Sequence, residues 1–211
     1  MPNYFCMSCG KEYFDLKIKS NWFLVRHGET DWNVENRVQG YSNTHLNEAG
    51  IKQAETTADF LMDKDIGLIV SSDLARAKET AEIIAKATGT EIIFDTSLRE
   101  INCGSLEGMF IPEANEQYGS FLDRPYKELG GETFKEVEER AMKALRNHRR
   151  DHERKNVVIV SHGALLGLVM KNIKKIDHAQ STGLNIGNAE VIKLDIGEPC
   201  ASCGGDVYED A

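Results

Sequence analysis

No apolar run in the 211 residues approaches the roughly 20 residues needed to cross a bilayer, and the opening Met1-Pro2-Asn3-Tyr4-Phe5-Cys6 lacks the apolar core of a secretory leader. A soluble, cytoplasmic protein is the expectation. Basic residues are also scarce: 25 Lys and Arg face 34 Asp and Glu, giving a net charge of −9. Such a surface repels nucleic acid and anionic membranes at long range, so neither is expected as a partner. Any anionic ligand would need a locally basic pocket. There is no internal repeat and no low-complexity tract. What is present is 41% hydrophobic content, enough for one sizeable core and too little for a second independent one at this length.

Apolar, β-rich runs occur at Trp22–Val25, Ile66–Val70, Glu91–Phe94, Val157–Val160 and Ala189–Leu194. Helical patterns separate most of them. Asn47–Met62 has apolar or small residues at helical spacing behind a loop-to-helix start at Asn47, Gly50 and Gln53, and Leu74–Ala87 reads as a helix closed by Gly89. A third long helix is predicted over Glu132–His152, with Phe134, Val137, Ala141, Ala144 and Leu145 as its inward stripe. Ala164–Met170 continues as an apolar run suited to a helix packed on a sheet. The alternation predicts an α/β fold.

Polar residues interrupt this pattern where strands end. Arg26-His27-Gly28-Glu29-Thr30 follows the first run, Ser71-Ser72-Asp73-Leu74-Ala75-Arg76 the second, and Ser161-His162-Gly163 a later one. In an open parallel sheet, ligands bind outside the carboxyl ends of strands, so Arg26, His27, Arg76 and His162 are expected to converge into an anion pocket. Gly163 stands where a helix N-terminus would offer free N–H groups to phosphate oxygens, and the arginines add permanently charged planar donors.

The run Leu24-Val25-Arg26-His27-Gly28-Glu29-Thr30-Asp31-Trp32-Asn33 resembles the signature of the histidine phosphatase superfamily, also called the phosphoglycerate mutase-like family. The resemblance continues through Arg37–Gly40, Leu46–Gly50, Ser71–Arg76, Leu98–Ile101, Gly130–Thr133 and Val160–Gly163, and so covers about Trp22 to Leu194. It implies a three-layer α/β sandwich with a mainly parallel central sheet. It further implies His27 as a phosphorylated nucleophile, Arg26, Arg76 and His162 as the phosphate pocket, and Glu100 as the proton donor. Asn33 and Gln39 match pocket-lining positions of the family, although either residue suits simple loop stabilisation as well. The phosphate chemistry implied needs no metal, because preorganised cations can stabilise the charge spread over the equatorial oxygens.

Four of the five cysteines form two Cys-x-x-Cys pairs, Cys6/Cys9 and Cys200/Cys203, which resemble the paired knuckles of zinc-ribbon or rubredoxin-like modules. One site would require the two chain ends to meet. The expectation is a split ribbon in which residues 1–19 and 197–211 clasp one structural Zn²⁺ beside a main domain at 20–196, with two separate dithiols as the alternative. The pairs lack the proline often found inside such knuckles. Cys103 reads as a buried small residue. His148 and His152 lie four apart on a helix, but Arg149, Arg150 and Asp151 mark that face as solvated and count against a metal there.

The sequence therefore predicts a phosphomonoester hydrolase acting on a small phosphorylated metabolite. A phosphoglycerate mutase would use the same pocket, and a noncatalytic phosphate-ligand binding module with a zinc clasp is the reading from another class. The stretch Gly108–Gly130 is short for a mutase cap, which favours access of water. Within it Phe110, Tyr118, Phe121 and Tyr126 are expected to make an apolar wall, and Arg124 reads as a surface loop arginine, with a grip on a second anionic group as the alternative.

Overall fold

The computed structural model describes residues 4–6, 12–13, 20–121, 124–152, 155–174, 186–196 and 207–210. Along them run strands β1 (Tyr4–Cys6), β2 (Glu12–Tyr13) and β3 (Ser20–Arg26), helices α1 (Asp31–Val34) and α2 (Glu48–Leu61), then β4 (Ile66–Ser71), α3 (Ala75–Thr88) and β5 (Ile92–Phe94). Helices α4 (Ile111–Tyr118) and α5 (Phe134–Asp151) follow, then β6 (Asn156–Ser161), α6 (Gly163–Lys174), β7 (Val191–Ile196) and β8 (Val207–Asp210). The strands join in one sheet in the order β2-β1-β8-β7-β3-β6-β4-β5. Its centre is parallel: β3 pairs with β6, β6 with β4, and β4 with β5. β7 closes this block antiparallel to β3, and β8, β1 and β2 extend it antiparallel.

The period-2 alternation of the central strands decides what each face buries. Trp22, Leu24, Leu68, Val70, Val157 and Ile159 face one way and pack with Val137, Ala141 and Leu145 of α5 and Leu165, Leu166 and Val169 of α6. Phe23, Val25, Ile69, Val158 and Val160 face the other and meet Ala58 and Leu61 of α2 with Ala77, Ala81 and Ile84 of α3. The expected sandwich of helices on both faces is the result. Each of the larger core side chains contributes on the order of 2 kcal/mol by leaving water.

Element boundaries move for local reasons. α5 starts at Phe134 and not at Glu132, because Thr133 forms a reciprocal capping box with Glu136. The last strand of the main block begins at Val191, since Ala189 adopts a left-handed backbone (φ 55°) while its N–H donates to the carbonyls of Arg26 and His27. Gly89 ends α3 in the same left-handed region (φ 67°), as its position in the sequence suggested. The face of α5 read as solvated is so only in part: Arg150 and Asp151 are exposed, but Arg149 is buried, and His148 Nε2 lies 2.8 Å from Asp95 Oδ2 with its side chain only 14% exposed. No helix among the described residues is long and apolar enough to cross a membrane.

Candidate active site

His27 follows the last residue of β3, and three contacts fix it. Its backbone N–H donates to Ser161 O (2.9 Å), the next N–H, that of Gly28, donates to Thr80 Oγ1 (3.0 Å), and its own Nδ1 lies 2.7 Å from Gly28 O. A carbonyl only accepts, so Nδ1 carries the proton and Nε2 keeps its lone pair. Burial first, then the charges of Arg76 and Arg26, hold the His27 pKa well below 6.5. The ring is therefore neutral at ordinary pH.

Its own strand end and two others bring groups to it. Arg26, the last residue of β3, donates from Nη1 to Ile186 O (2.6 Å) and leaves its buried Nε without a partner. Arg76 sits in the first turn of α3, whose N-terminus is capped from a distance by Asn43 Oδ1, accepting from Ala75 N–H at 2.8 Å. Its two Nη groups donate to Ser42 O and Gly40 O at 2.8 Å each, and its Nε is also buried and unpartnered; burial lowers its pKa to about 10. His162, after β6, packs its ring 5.2 Å from that of His27 and anchors Nε2 to Ser72 Oγ (2.8 Å), while Nδ1 is buried without a partner. Only four buried side-chain polar atoms among the described residues lack a partner, and three of them meet here. Buried donors are normally satisfied, so this grouping marks a place for an anion.

Arg26, His27, Asn33, Gln39, Arg76, Glu100 and Gly163 line one cavity of about 700 Å³; His162 is not among its lining residues but has its ring 5.2 Å from that of His27. Four arginines, Arg26, Arg37, Arg76 and Arg124, but only one carboxylate, Glu100, contribute to the lining, so the pocket is basic in an acidic protein. Glu100 accepts at Oε1 from Ile101 N–H and Leu165 N–H (both 3.0 Å) and at Oε2 from Ala164 N–H (3.1 Å), which docks it on the free N–H groups that open α6. Gly163 begins that helix and admits the guanidinium of Arg26, whose Nε would lie 3.4 Å from a Cβ at this position.

Asn33 and Gln39 both reach the cavity and both hold loops. Asn33 Oδ1 accepts from Thr30 N–H (3.1 Å) and Asn188 Nδ2 (3.3 Å), and Gln39 Oε1 accepts from Thr44 Oγ1 (2.7 Å). The apolar wall differs from expectation. Phe121 lines the cavity with Ile111, Phe134, Leu168 and Ile186, whereas Tyr126 turns inward, stacks edge-on against Phe121 and Phe134, and donates its hydroxyl to Phe121 O. Phe110 lies under the Arg37 guanidinium at 3.9 Å. Arg124 is no surface residue: it is 6% exposed, lines the cavity, and donates to the neutral acceptor Asn115 Oδ1 at 2.7 Å. Cys103 is buried as expected, its thiol pKa pushed far up by burial. Sequence reasoning missed Asn188 and Arg140, which belong to no pattern that spacing would single out, and gave no role to Ser72 although it stands in the Ser71–Arg76 run.

A profile of the histidine phosphatase superfamily (branch 1) matches residues 22–203. The chain belongs to the histidine phosphatase superfamily. Among curated members, the probable phosphoglycerate mutase GpmB of Shigella boydii is 36% identical over 197 residues, covering 90% of this chain and 91% of that protein, and the Escherichia coli protein of the same name matches equally well. Solved relatives include a mycobacterial glucosyl-3-phosphoglycerate phosphatase (28% identity, TM-score 0.76, 91% of this chain and 98% of that one). A phosphoserine phosphatase of Entamoeba histolytica, solved with 3-phosphoglyceric acid, matches at 26% identity with TM-score 0.75 over 91% of this chain and 97% of that one. Within this superfamily the chain thus has phosphatases as structural neighbours and proteins named as mutases as sequence relatives.

Of the cysteine pairs, Cys6 closes β1, whereas Cys9, Cys200 and Cys203 lie outside the described residues. Among the described residues no group of His, Cys, Asp or Glu could hold a metal ion.

Proposed function

We propose that this histidine phosphatase hydrolyses small phosphomonoesters through a phosphohistidine. The observation that carries the reading is the meeting of three unpartnered buried nitrogens, Arg26 Nε, Arg76 Nε and His162 Nδ1, around a neutral histidine. Nε2 of His27 attacks phosphorus as the P–O ester bond breaks, and the arginines take up the charge spreading over the equatorial oxygens. Glu100 gives a proton to the departing alkoxide and later takes one from the water that attacks phosphohistidine, releasing inorganic phosphate. The arginines supply the charge neutralisation that magnesium supplies elsewhere, so we propose a metal-independent reaction. Its setting is proposed to be cytoplasmic, with a small-molecule ester as the partner and neither nucleic acid nor membrane.

The substrate is proposed to carry a second anionic group. Arg124 is buried beside the cavity with no carboxylate partner among the described residues, and the two solved phosphatases are named for phosphoserine and for a phosphoglycerate derivative. The test is phosphate release from a panel of esters with and without a carboxylate, in the presence of EDTA, by wild type, His27→Ala and Glu100→Gln. Turnover that survives chelation and vanishes in His27→Ala is expected. Interconversion of 2- and 3-phosphoglycerate faster than phosphate release would replace the hydrolase by a mutase, the activity named for the GpmB relatives.

We also propose the terminal clasp: residues 1–19 and 197–211 hold one structural Zn²⁺ through Cys6, Cys9, Cys200 and Cys203, on a phosphatase domain at 20–196. Backbone register supports it. β1 and β2 pair antiparallel, β7 and β8 pair antiparallel, and β1 meets β8 with Cys6 opposite Val207. The β1-to-β2 and β7-to-β8 connections, which contain Cys9 and the Cys200/Cys203 pair, therefore both span the same end of the sheet. Four thiolates leave no open coordination position, so this metal would serve folding and not turnover.

A further inference from the structure

Glu100 sits in a segment without regular structure, between a single 3₁₀ turn at Thr96–Leu98 and another at Gly104–Leu106. A general acid must be held to within about 0.5 Å to be effective, yet loops of this kind are ordinarily the least constrained parts of a fold. The Glu100 carboxylate is docked on the start of α6 and Ser161 Oγ holds Leu98 O, and the backbone around it is gripped by one guanidinium on α5. Arg140 Nη1 donates to Ser97 O (2.8 Å) and Arg99 O (2.7 Å), and Nη2 donates to Glu100 O (2.7 Å). The remaining donors, Nε and Nη2, grip Glu132 Oε1 and Oε2 at 2.9 Å each. All five N–H groups of Arg140 are thus committed.

Glu132 completes the grip from the other side. Its Oε2 accepts from Asn102 N–H (2.9 Å) and from Tyr41 Oη (3.3 Å), and its own N–H donates to Asn102 O (2.9 Å). The pair is mostly buried, with side-chain exposures of 19% and 20%. Burial acts to raise the Glu132 pKa, but the bonds from Arg140 and Asn102 outweigh it and leave the carboxyl below its usual range. The carbonyls of 97, 99 and 100 and both backbone groups of 102 are therefore tied to one charge-assisted unit, and between those anchors lies Glu100, which lines the cavity and is docked on the start of α6.

We infer that Arg140, locked by Glu132, is the positioning residue for the proton donor Glu100. This rests on the phosphohistidine reading, in which Glu100 protonates the leaving group. A purely structural pair would affect all substrates alike when removed. A pair that acts through Glu100 would matter only when the leaving group needs a proton.

The experiment compares kcat/KM for an alkyl phosphate, glycerol 2-phosphate, with that for p-nitrophenyl phosphate, whose phenolate departs unprotonated. kcat/KM reports steps up to phosphorylation of His27, so later hydrolysis of phosphohistidine does not enter. Glu100→Gln serves as the reference, with a loss of about 10²-fold or more expected on the alkyl ester and a much smaller one on the aryl ester. Arg140→Met and Glu132→Gln are expected to raise the aryl-to-alkyl ratio by at least about tenfold, in the same direction as Glu100→Gln. Arg140→Lys, which keeps the charge but not the five-donor fork, should fall with Arg140→Met. Should Arg140→Met not fold, the shape-conserving Glu132→Gln carries the test. Equal losses on both esters, or none on either, would overturn the inference. A wild type that cleaves neither ester would instead bring down the phosphatase reading on which it stands.

Discussion

Two buried imidazoles beside two arginines make the site sensitive to acid. Burial, Arg76 and Arg26 hold His27 well below 6.5, and burial, Arg76, His27 and Arg26 do the same for His162. In the unfolded chain each ring takes up a proton near pH 6.5, while the folded protein binds fewer. Stability is then fully present above about pH 6.5 and falls as pH drops below it, by up to about 1.4 kcal/mol per pH unit for each ring, until the folded pKa values are reached. His27→Gln should flatten the slope of unfolding free energy between about pH 5 and 6 by about 1 kcal/mol per unit in urea titrations. Parallel slopes for variant and wild type would show that His27 is not a neutral group in the fold. At this scale the sequence was informative where chemistry follows a strand end, as at His27, Arg76 and His162, whereas Glu100 was legible only through the family motif Leu98–Ile101. It put Arg124 at the surface and passed over Arg140, because a lone arginine in a loop or on a charged helix looks the same whether it meets water or a set of acceptors.

Helix α2 shows what an element does for the site. Its N-cap Asn47 accepts from Gly50 N–H (2.8 Å) and donates from Nδ2 to Glu29 Oε1 (3.0 Å), and Gln53 Oε1 accepts from Glu29 N–H (2.9 Å), so its first turns hold the loop after His27. Contact is so close that a Cβ on Gly50 would fall 2.1 Å from Glu29 O, and one on Gly28 would fall 2.4 Å from Gly50 O. Gly50→Ala must push backbone against backbone, at a cost of about 1–3 kcal/mol. It should also displace the His27 loop and lower kcat on any phosphomonoester at least about tenfold, a residue with no place in the cavity acting on turnover. Unchanged kcat in a folded Gly50→Ala would mean that α2 does not position the nucleophile. Helices α2, α3, α5 and α6 and the central strands were legible because each carries its own periodicity, whereas the short α1 and α4 were not read. Boundaries at Thr133 and Ala189 were not, since they depend on a capping box and on a left-handed turn tied to the carbonyls of Arg26 and His27.

At the scale of the whole molecule, the sheet would hold the two proposed sites apart. The phosphate pocket lies at the carboxyl end of β3, where Arg26 is. β7 pairs antiparallel with β3 so that Ile196 lies opposite Ser20, which puts the end of β7, and the start of β8 beyond it, at the other end of the seven-residue β3. At about 3.3 Å per residue the proposed cysteine clasp would stand roughly 20 Å from His27. A metal so placed would hold the chain ends together without touching the reacting atoms, and its binding energy would become folding energy. Protein purified anaerobically without a tag should carry about one equivalent of zinc, and less than about half an equivalent would count against a shared site. Stripping the metal, or Cys200→Ser, should lower the melting temperature by at least about 4 °C, given that 1 kcal/mol moves it by about 2–4 °C for a chain of this size. kcat/KM measured below that temperature should stay within about twofold, because no ligand of the phosphate pocket moves. Loss of turnover in folded, metal-stripped protein would place a metal in the reaction itself and reverse the division of labour between the two ends of the sheet.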